Sequence, residues 1–168
     1  MIIKIANQKL SVEAAESFIN HILYYANFLA KKLECHDEYY RGASCAYHEV
    51  LHTIQHWGKQ AEIFWNKDLA QWADDHLQCP SNAIPEKHSS LRIRIRSGNV
   101  TSAKLEQLIQ DLFVSAKKAA EKYDVQSDFQ QGVGQTYTEV LDSIHNWGII
   151  ENAGINCNLE QWAVKHLA

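Results

Sequence analysis

Gly42-Ala-Ser-Cys-Ala-Tyr-His-Glu-Val-Leu-His-Thr-Ile-Gln-His-Trp-Gly58 decides the fold, because it occurs a second time as Gly132-Val-Gly-Gln-Thr-Tyr-Thr-Glu-Val-Leu-Asp-Ser-Ile-His-Asn-Trp-Gly148. The copies keep Gly, Tyr, Glu, Val, Leu, Ile, Trp and Gly in register, where chance in average composition gives about one match. The offset of 90 residues extends outward in both directions. Asp68 to Leu77 maps without a gap onto Asn158 to Leu167, and Met1, Ile3 and Ile5 map onto Leu91, Ile93 and Ile95.

The expected fold is therefore mainly α: two tandem pseudo-repeats of about 90 residues related by a pseudo-twofold. Residues 1–78 form the first repeat, 79–90 a linker holding Pro80 and Pro85, and 91–168 the second. Each repeat reads as a short strand, an antiparallel helical hairpin and a short terminal helix.

The strands are Met1 to Ala6 and Leu91 to Arg96, where apolar residues alternate with polar ones and Arg92, Arg94 and Arg96 face outward. A long helix follows, capped by Ser11 or Asn7 in one repeat and by Thr101 or Asn99 in the other. Its stripe runs through Ala15, Ile19, Ile22, Ala26, Leu29 and Leu33, or Leu105, Leu108, Ile109, Leu112, Phe113, Ala116, Ala119, Ala120 and Tyr123. The duplicated helix is its partner, starting near Asp37 or Asp128 and stopping at Gly58 or Gly148, the residue type suited to a helix end. Tyr47, Val50, Leu51 and Ile54 mark its core face. Asn66 and Asn156 are placed to cap the terminal helix, whose His76 and His166 read as structural.

Length and composition describe a globular chain. Its 168 residues suffice for a real core, and the formal charge of -4 argues against a nucleic-acid partner. No run approaches the length of a membrane span. A cytoplasmic location is the expectation, and Cys35, Cys45, Cys79 and Cys157, which have no counterparts across the repeats, read as free thiols.

One pattern points to chemistry. His48-Glu49-Val50-Leu51-His52 is an H-E-x-x-H sequence and resembles the zinc-binding motif of the zincin metalloproteases. The resemblance implies His48 and His52 as zinc ligands and Glu49 as general base. His56 continues the row and Cys45 precedes it by a turn, all within about 80° on the helix. Cys45 and His48 can also join Cys35 and His36 in a structural site. The second copy has Gln135, Thr138, Asp142 and Asn146 at these places, while Glu49 recurs as Glu139 without flanking histidines. The row lies opposite the core face, on the solvent side unless another element or chain covers it.

The first reading of function is a non-enzymatic intracellular protein-binding module, of interaction or inhibitor type, without a cofactor. It engages another protein or a second copy of itself, with His48, His52 and His56 as contacts. The alternative is a zinc-dependent hydrolase using Glu49, with His48, His52, His56 and Cys45 as the candidate metal set.

Overall fold

The computed structural model describes residues 1–79 and 91–168; the expected linker with its prolines lies outside them, except for Cys79. The described chain is mainly helical: six helices and one two-stranded sheet.

Each helix starts at a side chain that accepts from an otherwise unpaired backbone N–H. Ser11 caps α1 (Val12–Lys32), Asp37 caps α2 (Glu38–Gln60) and Asp68 caps α3 (Leu69–His76). Thr101, Ser127 and Asn158 do the same for α4 (Ser102–Glu121), α5 (Asp128–Ile150) and α6 (Leu159–Leu167). Asn7, Asn99, Asn66 and Asn156 are therefore not the caps. Asn66 Oδ1 instead accepts from Arg94 N at 2.8 Å, and Asn156 Oδ1 from Lys4 N at 2.9 Å.

The core is one apolar cluster drawn from all six helices, with Phe18, Ile19, Leu51, Ile54, Leu105, Leu112, Leu141 and Ile144 completely or almost completely enclosed. Each such side chain contributes about 1.5–3 kcal/mol by leaving water. Its centre is the packing of α2 against α5. There Gly42 and Gly132 let the backbones touch: a Cβ on Gly42 would run into the Phe129 carbonyl, and one on Gly132 into the Tyr39 carbonyl.

The other residues shared by the two stretches also reach across. Tyr47 Oη donates to Glu139 Oε2 at 2.7 Å. The Tyr137 hydroxyl lies beside Glu49, whose charge, after burial, raises its pKa strongly, although it makes no hydrogen bond of good geometry. Trp57 Nε1 donates to Lys104 O at 2.7 Å, and Trp147 Nε1 to Ala14 O at 2.9 Å.

Gly58 and Gly148 do not end their helices. Both lie inside, where the missing side chain admits the Trp65 ring and the Ile155 side chain. The chain turns a few residues later, through left-handed Glu62 (φ 56°) and Asn152 (φ 49°).

The expected strands are mostly not strands. Only β2 (Ile95–Ser97) pairs, antiparallel with β1 (Phe64–Trp65), and Ile5 forms a single bridge to Ile155. Other groups take most of the remaining backbone donors: side chains of the long helices accept from the inward-facing residues, Asn66 and Asn156 from Arg94 and Lys4, and the Gly154 and Ala153 carbonyls from Ala6 and Asn7. Ile3 N and Ile5 N donate to Gln110 and Glu106, both at 2.9 Å; Ile93 N and Ile95 N donate to Asn20 and Glu16 at 2.8 and 2.6 Å. The inward and outward alternation is as read: Leu91 and Ile93 are buried, and Arg92, Arg94 and Arg96 are exposed.

Two of the four cysteines are not free. Cys35, between α1 and α2, forms a disulfide with Cys79, just after α3, with Cα atoms 5.5 Å apart; Cys45 and Cys157 are free thiols. Matching the sequence to itself at an offset of 90 could not reveal this bond, because neither Cys35 nor Cys79 meets a cysteine at that offset.

Candidate metal centre

α3 packs along α2 and is held there by several contacts. Leu69, Ala73 and Leu77 are buried, the buried Ser44 hydroxyl donates to Leu77 O, and Gln55 Oε1 accepts from Leu69 N at 2.8 Å. The Cys35–Cys79 disulfide ties down the far end. These restraints place Asp74 over the histidine row.

His48 and His52, one turn apart on α2, stand with ring centroids 4.3 Å apart. Both point Nε2 at the same carboxylate oxygen: His48 Nε2 is 2.6 Å and His52 Nε2 2.9 Å from Asp74 Oδ1. All three donor atoms lie within 4.8 Å of one another. All three side chains are half-buried, so α3 covers part of the face that the sequence places in solvent. Hydrogen bonds from His52 first, then His48, hold the Asp74 carboxyl below its ordinary pKa. Gln78 completes the surroundings, with its Nε2 3.4 Å from His48 Nε2.

The other residues of the row separate from this group. His56 and Cys45 are exposed and are not part of the convergent set. Cys35 is committed to its disulfide, which removes it from the alternative site with His36, Cys45 and His48. Glu49 interacts with the Tyr137 hydroxyl and lines a cavity with Tyr137, Ser115 and Lys118; it is not part of the convergent set. Its counterpart Glu139 serves Tyr47, so the glutamate shared by both copies has a use across the α2–α5 packing.

His76 and His166 make the same local contacts. His76 stacks on Trp72 at 4.4 Å, with Nδ1 2.9 Å from Trp72 O; His166 stacks on Trp162 at 4.6 Å, with Nδ1 2.8 Å from Trp162 O.

Asp74 is the residue the motif could not supply. It lies 22 and 26 positions from the histidines it meets, on a different helix. The sequence aligned on itself at an offset of 90 does contain a signal for it: Asp74 stands opposite Val164, and His48 and His52 stand opposite Thr138 and Asp142.

A tetrahedral zinc bound at about 2.0–2.1 Å keeps its ligand atoms about 3.3 Å apart. From the observed 2.6 and 2.9 Å, the two histidine nitrogens would each have to move away from Asp74 Oδ1, by about 0.7 and 0.4 Å, to reach that spacing. The set of two imidazoles and one carboxylate is chemically suited to zinc and leaves a fourth position open. No described helix is long and apolar enough to cross a membrane. No protein-family model, curated protein or solved structure matches this chain.

Proposed function

We propose that this chain is a zinc-binding interaction module, built from a doubled helical unit with a pseudo-twofold arrangement, in which one unit carries the metal through His48, His52 and Asp74. The observation that carries the reading is the convergence of three donor side chains from two helices on one point, in the copy whose counterpart has none of them.

The doubled arrangement is supported by contacts that repeat at the offset of the sequence. Trp57 reaches Lys104 and Trp147 reaches Ala14; Trp65 pairs with Ile95 and Ile155 with Ile5. Each relation becomes the other when 90 is added to one residue number and subtracted from the other.

A binding role is favoured over hydrolysis because the zincin reading needs Glu49 on the metal-bound water, and Glu49 stands instead against Tyr137. The fourth zinc position is then available to water or to a donor side chain of a partner protein, a second copy included. The disulfide is of a kind that persists in oxidising compartments, so a cytoplasmic setting forms no part of this proposal.

Elemental analysis of untagged protein tests the reading. The expected result is near one zinc per chain, lost in His52→Ala and Asp74→Asn and retained in Glu49→Gln. Folded, metal-free protein that takes up no added zinc would overturn it.

A further inference from the structure

A second site lies where α1, the start of α2 and the middle of α5 meet. A cavity of about 320 Å³ is walled there by Tyr24, Tyr25, Phe28, Tyr39, Tyr40 and Tyr47, with the Glu139 carboxylate in its lining. That volume is at the lower end for small-molecule sites.

The carboxylate is hydrogen-bonded but not neutralised. Oε2 accepts from Tyr47 and Oε1 from Gln135 at 3.1 Å, and Glu139 makes no ion pair among the described residues. Lys32, also in the lining, places Nζ 4.3 Å from the Phe28 ring centroid. That contact shows a cation already resting on one wall of the cavity. At the rim, Tyr24 and Phe28 are 64 % and 49 % exposed, an unusual position for two large rings one turn apart. Burial first, and then the charge of Glu139, raise the hydroxyl pKa of Tyr25, Tyr39 and Tyr47, which keeps these phenols neutral.

The offset of 90 residues supplies a comparison within the molecule. A cavity at the corresponding place is lined by Ser115, Lys118, Phe129, Gln130 and Tyr137, where the first has Tyr25, Phe28, Tyr39, Tyr40 and Tyr47. Glu49 is there in place of Glu139. The acid is common to both, and so is one lysine, Lys32 or Lys122; the second cavity adds Lys118, whereas the first has the rings of Tyr25, Phe28 and Tyr40 where the second has Ser115, Lys118 and Gln130.

We propose that the aromatic cavity binds a small free alkylammonium ion, the rings taking the substituted nitrogen on their faces and Glu139 supplying the counter-charge. Ring faces carry the negative side of the aromatic quadrupole. Tyr24 and Tyr25, and Tyr39 and Tyr40, meet edge-to-face, so rings of differing orientation surround the space. Those facing the bound nitrogen, together with the carboxylate, favour a cation over an anion or a neutral molecule of the same shape.

Calorimetric titration with choline and with its uncharged isostere 3,3-dimethylbutan-1-ol tests the proposal. Choline is expected to bind saturably, with the isostere roughly tenfold weaker or more. Glu139→Gln keeps an acceptor for Tyr47 and is expected to weaken choline roughly tenfold, Tyr24→Ala several-fold, and Glu49→Gln not at all. Circular dichroism confirms that each variant is folded. Equal affinity for choline and its isostere, equal effects of the two glutamate substitutions, or no saturable binding at about 10 mM choline overturns the assignment.

Discussion

Gly132→Ala should destabilise the protein, although alanine is the better helix former. In an open helix this exchange gains about 1 kcal/mol. Here the new Cβ would run into the Tyr39 carbonyl oxygen and lie 2.8 Å from Ala43 N, so its neighbours are the backbone of α2 and cannot turn aside. Relief requires α2 and α5 to separate where they pack most closely, and overpacking of this kind costs about 1–3 kcal/mol. Separation also loosens the contacts beyond the crossing, so the penalty is expected in the upper half of that range, about 2–3 kcal/mol, for a net loss of about 1–2 kcal/mol. For a chain of this size the melting temperature should fall by roughly 2–8 °C. Gly148→Ala is the control on the same helix, because its Cβ would meet the flexible end of a side chain, Ile155 Cδ1 at 2.7 Å. It should cost clearly less. Thermal melts followed by circular dichroism decide; an unchanged or raised midpoint for Gly132→Ala would refute the packing argument.

Three further outcomes follow from individual contacts. Tyr47→Phe removes the donor to Glu139 and should cost about 1–2 kcal/mol in urea melts, whereas Tyr137→Phe removes a buried hydroxyl without a well-placed partner and should be neutral or slightly stabilising. Cys35→Ser opens a cross-link between residues 44 positions apart and should cost about 2–4 kcal/mol, matched by the effect of reductant on the parent and absent when reductant is added to the variant. Asp74→Val, which introduces the residue found at position 164, should abolish zinc uptake while lowering the melting temperature of the metal-free protein only slightly, because the hydrogen bonds it loses are those of a half-exposed side chain; a large loss of stability would assign Asp74 a structural role instead.

What the sequence made legible was local or periodic. The long helices follow from apolar stripes and from the Ser11 and Thr101 caps. The core face of α2 follows from Tyr47, Val50, Leu51 and Ile54, all buried. Misreadings arose where a residue's role depends on a distant neighbour. Gly58 and Gly148 have the appearance of helix stops, but they are small because Trp65 and Ile155 pack against them, and the turns fall to Glu62 and Asn152. The alternating segments have the period of strands, yet helix side chains take their hydrogen bonds. The disulfide and Asp74 depend on α3 lying along α2, a tertiary fact without a local signature. The aromatic cavity was likewise hidden, since Tyr24 and Phe28 fall off the buried stripe of α1 and gain meaning only beside Glu139 from another helix.

The metal assignment is tested most directly by a crystal grown with one equivalent of zinc and recorded on both sides of the zinc absorption edge. The account predicts one anomalous peak about 2.0–2.1 Å from His48 Nε2, His52 Nε2 and an Asp74 oxygen, with Glu49 still beside Tyr137. A peak elsewhere, or none with the two histidines still hydrogen-bonded to Asp74, would contradict it.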